Sequence, residues 1–150
     1  KARGGKVLMW HGWADSGIPA RSSIDYYLRV QQLIGGEETE KFMRLFLLPG
    51  VTHCGGGDGA DQLEALAILD AWVEQGKAPE MIVTTKTEKG KVTRTRPVFP
   101  YPKVAKYNGS GDVDDPGTWS PIVPASAITQ PSGVYGSAGG VPLFPKIKQK

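Results

Sequence analysis

The chain has 150 residues, of which 39% are hydrophobic, and its formal charge is +3. That is long enough for one domain with a real core, and the charge is too slight and too scattered to mark a nucleic-acid surface. No apolar segment approaches the roughly 20 residues that a membrane span needs. Neither nucleic acid nor membrane is expected as a partner.

The chain opens with Lys1-Ala2-Arg3-Gly4-Gly5-Lys6 and runs straight into an apolar stretch, with no initiator methionine and no signal peptide. It reads as the C-terminal piece of a larger protein. Lys6-Val7-Leu8-Met9-Trp10 lacks polar alternation, as a buried parallel strand does. The loop His11-Gly12-Trp13-Ala14-Asp15-Ser16-Gly17-Ile18-Pro19 follows. A helix is predicted from about Arg21 to Ile34, with Ile24, Tyr27, Leu28, Leu33 and Ile34 near helical spacing and Gly35-Gly36 as its stop.

Phe42 to Leu48 is the second predicted strand, ended by Pro49-Gly50. Next comes the glycine-rich turn Val51-Thr52-His53-Cys54-Gly55-Gly56-Gly57-Asp58-Gly59, then a helix predicted from about Ala60 to Gln75. Leu63, Leu66, Ala67, Leu69, Ala71 and Val73 are expected to mark its buried side, with Trp72 beside them. Met81–Thr87 and Lys91–Arg96 are rich in β-branched residues and joined by Glu88-Lys89-Gly90, which predicts a hairpin. Nine of the 12 prolines lie after Arg96. From Pro97 onward no period is sustained, so irregular chain wrapping the surface is expected, with 121–150 as an extended, partly disordered tail. The run Lys146-Ile147-Lys148-Gln149-Lys150 belongs to that solvated tail.

Strands alternating with helices predict an α/β fold whose parallel sheet has right-handed crossovers. In such sheets functional residues gather in the loops beyond the carboxyl ends of the strands. Asp15 and His53 both occupy that position, after two consecutive strands. If those strands are neighbours, about 4.8 Å apart, the two side chains can meet above the sheet.

A serine nucleophile needs a base, and the base needs a third group to fix its tautomer. His53 can be that base and Asp15 the carboxylate. The order acid then histidine is that of an α/β-hydrolase, where the nucleophile lies upstream of both. No serine here lies in a G-x-S-x-G turn, and Gly109-Ser110-Gly111 has no strand before it. Other readings stand beside this one. His11 is read as a strand-end residue with local hydrogen bonds. The Gly55-Gly56-Gly57 run could cradle a phosphate at a helix start, though it lacks the Lys-Ser/Thr of a P-loop. His11, Asp15, His53 and Cys54 carry metal-ligating atoms, but adjacent His53 and Cys54 would tend to point apart. Cys54, the single cysteine, is either a free thiol or half of a bridge to chain beyond this sequence.

The elements His11–Pro19, Gly50-Val51-Thr52-His53-Cys54-Gly55-Gly56-Gly57, Arg96-Pro97-Val98-Phe99-Pro100-Tyr101-Pro102 and Ala105–Asp112 together resemble the tannase and feruloyl esterase family of α/β-hydrolases. The resemblance covers most of residues 5–120. It implies that 1–120 is the C-terminal portion of a catalytic domain, with Asp15 as the acid and His53 as the base. It further implies that Cys54 is disulfide-bonded to an upstream cysteine directly before the catalytic serine, which calls for an oxidising compartment, so a secreted or periplasmic enzyme. The serine, its oxyanion-hole donors and the lid domain would all lie upstream. No cofactor is expected in this chain; a lid-domain calcium would lie outside it. Phe99 stands where some members carry a cysteine, so a second bridge cannot form there.

The expected function is hydrolysis of aromatic, feruloyl- or galloyl-type carboxylic esters. The expected partners are the aromatic ester itself and the upstream part of the same enzyme, and this chain alone is expected to be inactive. The alternatives are a non-catalytic binding domain that keeps the hydrolase scaffold, or an α/β-hydrolase of another substrate class.

Overall fold

The computed structural model describes residues 3–53 and 55–131. Cys54, the basic terminal run and most of the expected tail lie outside the described residues. The chain forms β1 (Val7–Gly12), α1 (Ala20–Ile34), the short α2 (Gly36–Glu40), β2 (Met43–Leu48), α3 (Ala65–Gln75), β3 (Ile82–Glu88), β4 (Lys91–Val98), β5 (Val104–Tyr107) and β6 (Trp119–Ile122). The strands pair in three two-stranded sheets: β1 with β2 in parallel, and β3 with β4 and β5 with β6 in antiparallel.

β2 is the centre of the molecule because both of its faces and both of its edges are used. Side chains alternate across a strand, and here the alternation separates two cores. Met43 and Leu45 pack with Ile24, Tyr27 and Leu28 of α1, three positions at helical spacing, and with Tyr101. Phe46 and Leu48 pack on the opposite side with Val51, Ile82 and Val98. One edge pairs in register with β1, from Val7 opposite Met43 to Gly12 opposite Leu48. The even-numbered carbonyls point that way, since Phe42 O and Leu48 O accept from Val7 N and Trp13 N. The odd carbonyls point to the other edge, where Leu45 O accepts from Tyr101 N at 2.8 Å and Phe46 bridges Pro100. The pairing of β1 with β2 is what brings the two strand-end loops side by side.

α1 and the hairpin form as predicted. Gly35 ends α1 with φ +96°, and Lys89 and Gly90 turn the hairpin with φ of +50° and +77°, the left-handed pair that a two-residue hairpin turn requires. Three expectations are corrected. β1 is only partly buried, with Val7 and Trp10 exposed. α3 begins at Ala65 rather than Ala60, because Gln62 exchanges two 2.9 Å backbone hydrogen bonds with Thr85 and holds its segment extended. The buried side of α3 is the one bearing Trp72, which is 2% exposed, whereas Leu66 is 83% and Val73 50% exposed. Trp72 lies under the cationic groups of Lys6 and Arg44, 5.5 and 5.9 Å from its ring centroid.

The region after Pro97 is also more ordered than its composition suggests. β5 and β6 pair there, with Tyr107 and Trp119 opposite each other and their rings 5.4 Å apart. At the start of the expected tail, Ile128 O accepts from the hydroxyl of Tyr101, which ties that segment to the α1 side of the core. Among the described residues no helix is long and apolar enough to cross a membrane.

Candidate active site

Above the carboxyl ends of β1 and β2 two loops are laced together by main chain. Trp13 N donates to Leu48 O and Ala14 N to Val51 O, both at 2.9 Å. The closeness of this contact dictates Gly12: a Cβ there would fall 2.3 Å from Thr52 O and 2.4 Å from Val51 O. Within the first loop Asp15 folds back on its own chain. Its Oδ1 accepts from Gly17 N at 2.8 Å and Ile18 N at 2.9 Å, an Asx-type turn. Its other oxygen, Oδ2, is left to face the second loop.

The second loop is a small closed structure. Val51 bridges Gly57, Thr52 N donates to Gly56 O at 3.2 Å, and Gly55 N donates to His53 O at 2.8 Å. Gly57 has φ +79°, and a Cβ on it would lie 2.4 Å from Gly50 O, so only glycine fits. The alternative reading of the glycine run as a phosphate cradle meets an internal anion instead: Gly56 N donates to the Asp61 carboxylate at 2.7 Å. From the hairpin, Lys86 Nζ and Arg94 donate to the carbonyls of Gly57 and Asp58. These contacts present His53 at the apex.

The result is a hydrogen bond between His53 Nδ1 and Asp15 Oδ2 at 2.7 Å. The Asp15 side chain is 3% exposed and that of His53 56% exposed. Asp15 is lowered from 3.8 to about 2. The Ile18 backbone N–H is the main cause; partial burial opposes it, and the bonds from His53 and Gly17 add to it. The carboxylate is therefore ionised and can only accept, so the proton of this bond sits on Nδ1. Nε2 is left as the open position of the ring; among the described residues no hydroxyl is hydrogen-bonded to it.

His11, at the end of β1, makes the local hydrogen bonds expected of it, between Nδ1 and Ser23 Oγ at 2.7 Å and between Nε2 and Ile18 O at 2.8 Å. It also comes within 3.3 Å of Asp15 Oδ2, a contact that the sequence analysis missed. The signal was the four-residue interval from His11 to Asp15 within a loop that turns back on itself. Asp61 was missed as well, because nothing in its surroundings announces a partner five residues upstream. Among the described residues no group of three or more His, Asp or Glu is arranged to hold a metal. A cavity of about 720 Å³, lined among others by Trp13, Arg96, Phe99, Tyr101 and Trp119, includes neither Asp15 nor His53 in its wall.

The family model described as tannase and feruloyl esterase matches residues 1–121. The chain is 44% identical over 115 residues to the mono(2-hydroxyethyl) terephthalate hydrolase of Piscinibacter sakaiensis, an alignment covering 75% of this chain and 19% of that protein. It is 45% identical over 114 residues to a probable feruloyl esterase of Arthroderma benhamiae, covering 73% and 21%. The crystal structure of feruloyl esterase B from Aspergillus oryzae superposes with a TM-score of 0.75 at 30% identity, over 81% of this chain and 27% of that one. The chain thus spans about a fifth of the length of the two curated relatives.

Proposed function

The chain belongs to the tannase and feruloyl esterase family, and we propose that it supplies the acid and the base of a serine carboxylic ester hydrolase with the α/β-hydrolase fold. The observation that carries this reading is the 2.7 Å bond from His53 Nδ1 to a buried, ionised Asp15, with Nε2 turned outward. In this reading 1–120 is the C-terminal portion of the catalytic domain and 121–150 its tail. Upstream chain of the same enzyme provides the serine, the oxyanion donors and the lid.

His53 Nε2 takes the proton of the serine hydroxyl as Oγ attacks the ester carbonyl. Asp15 holds the ring in its Nδ1–H form and stabilises the imidazolium that results. As the tetrahedral intermediate collapses, the C–O bond to the alcohol breaks and Nε2 returns the proton to the leaving oxygen. Water then attacks the acyl-enzyme, giving its proton to Nε2; the carboxylic acid leaves and the serine recovers its hydrogen. The names of the relatives support aromatic esters as the substrate class. Cys54 bridges to the cysteine beside the serine, clamping nucleophile and base at reacting distance, which fits a secreted or periplasmic enzyme.

The test is turnover of methyl ferulate by the full-length enzyme and its Asp15→Asn and His53→Ala variants. We expect losses of several orders of magnitude with far-UV circular dichroism unchanged. Near-normal turnover in either variant would refute the assignment, and in both would leave a binding domain on a hydrolase scaffold.

A further inference from the structure

We propose that His11 is a positioning residue for Asp15: through an Nε2–H bonded to Ile18 O and close to Oδ2, it holds in place the carboxylate that receives His53. This rests on the reading of Asp15 and His53 as acid and base, and adds a member to that machinery.

The argument begins with what faces each nitrogen of His11. Nε2 lies 2.8 Å from the Ile18 carbonyl oxygen and 3.3 Å from Asp15 Oδ2. Both are acceptors, so Nε2 must carry hydrogen. In the neutral ring Nδ1 is then a bare lone pair, and the Ser23 hydroxyl, 2.7 Å away on α1, donates to it. The reverse tautomer would set a lone pair on Nε2 against two oxygens. The acceptors at Nε2 therefore select this form, and the Ser23 hydroxyl, able to donate or accept, adapts to it and anchors the ring to α1.

The consequence falls on the carboxylate. Oδ1 receives two backbone N–H groups, and Oδ2 receives His53 together with the longer contact from His11. An ionised carboxylate has about four acceptor sites; hydrogen bonds take three of them, and His11 Nε2 stands 3.3 Å from Oδ2 beside the fourth. Rotation of the carboxylate would break bonds on both oxygens. His11 also acts indirectly, because Ile18 gives its N–H to Asp15 and its carbonyl to His11. The residue that orients Asp15 is held through both of its main-chain polar groups. The His11 side chain is only 14% exposed, so water competes little for its bonds. The line Ser23–His11–Asp15–His53 runs from α1 across the end of β1 to the second loop. It ties the acid to rigid elements rather than to its loop alone.

Two substitutions separate a donor role from a packing role. Glutamine places its amide N–H₂ close to the position of Nε2, whereas asparagine reaches only the position of Nδ1. In the full-length enzyme assayed with methyl ferulate, His11→Asn should lower kcat roughly tenfold to a hundredfold with KM unchanged, the scale of a small misplacement of a catalytic group. His11→Gln should retain most of the wild-type kcat. Ser23→Ala, which releases the ring from α1 but leaves both acceptors at Nε2, should lower kcat by a few fold at most. Imidazole nitrogen chemical shifts should report His11 as the Nε2–H form in the wild type and in Ser23→Ala alike. Equal kcat in His11→Asn and His11→Gln, or a change confined to KM, overturns the proposal. So does an Nδ1–H tautomer of His11 in the wild type, a readout that stands even if a His11 variant fails to fold. Asp15→Asn, assayed in parallel, separates the two levels. If it retains activity, the acid–base reading itself fails; if it loses activity while both His11 variants do not, only the role of His11 fails.

Discussion

Gly12 and Thr52 stand so close that a single methyl group on the first would lie 2.3 Å from the carbonyl oxygen of the second. The obstructing atoms are backbone, held by the hydrogen bonds that lace the two loops, so they cannot swing aside. Gly12→Ala must push the loops apart. We expect a loss of about 2–3 kcal/mol in unfolding free energy, at the upper end of overpacking costs, and a fall in ester turnover larger than that loss of folded protein explains. Denaturant titration beside kcat measurement checks both.

The pH response of the pair follows from the carboxylate. Asp15 has its value lowered from 3.8 to about 2, chiefly by the Ile18 N–H. Its stabilising contribution is therefore complete above the unfolded value and disappears as pH falls through about 2. Protonating His53 leaves Nδ1–H in place and does not break the bond. The Asp15 carboxyl carbon resonance should thus show the large step of its own protonation only near the low value, well below 3.8. A midpoint at or above 3.8 would contradict the hydrogen-bonding pattern.

Asp61 fills the turn beneath His53 with a 2.7 Å bond to Gly56 N. Asp61→Ala removes the acceptor and leaves that N–H to find water, at a cost of about 1–2 kcal/mol. Because the effect is local, we expect faster amide exchange at Gly55 and Gly56 and a several-fold decrease in kcat. Exchange at Asp15, Gly17 and Ile18 should be unchanged.

Trp72 is the largest side chain buried in the described structure, and it is roofed by Lys6 and Arg44. Trp72→Ala should cost about 3–5 kcal/mol through cavity formation, seen as a lowered Tm. Lys6→Ala should cost no more than about 1 kcal/mol, since its contact with the ring is open to solvent.

How far the fold was legible depends on whether a segment carries its own instructions. α1 does, in the spacing of Ile24, Tyr27 and Leu28 and in Gly35. The hairpin does too, in its β-branched runs and the Lys89-Gly90 turn. The start of α3 does not, because Gln62 is held extended by Thr85, a partner more than twenty residues away. The buried face of α3 was misread because its leucines outnumber its one tryptophan, and the cations that cover Trp72 come from β2 and the chain start. β5 and β6 were missed because their turn is stabilised by polar groups, with Thr118 Oγ1 donating to Asp112 O and Gly117 N to Asp115 Oδ1, and has no apolar period. At the site, Asp15 and His53 were legible because each follows a strand and the strands are consecutive. The parts played by His11 and Asp61 were hidden in loop geometry that only the folded chain defines.

Asp15 takes up one nitrogen of His53, and that fact governs more than proton transfer. The ring meets the outside through Nε2 alone, so a haloketone or an epoxide that enters the site has one atom to alkylate. The regiochemistry of covalent inhibition is thereby set in advance. Modification should be mono-substituted and confined to Nε2, and the adduct should keep its Nδ1–H bond to the carboxylate.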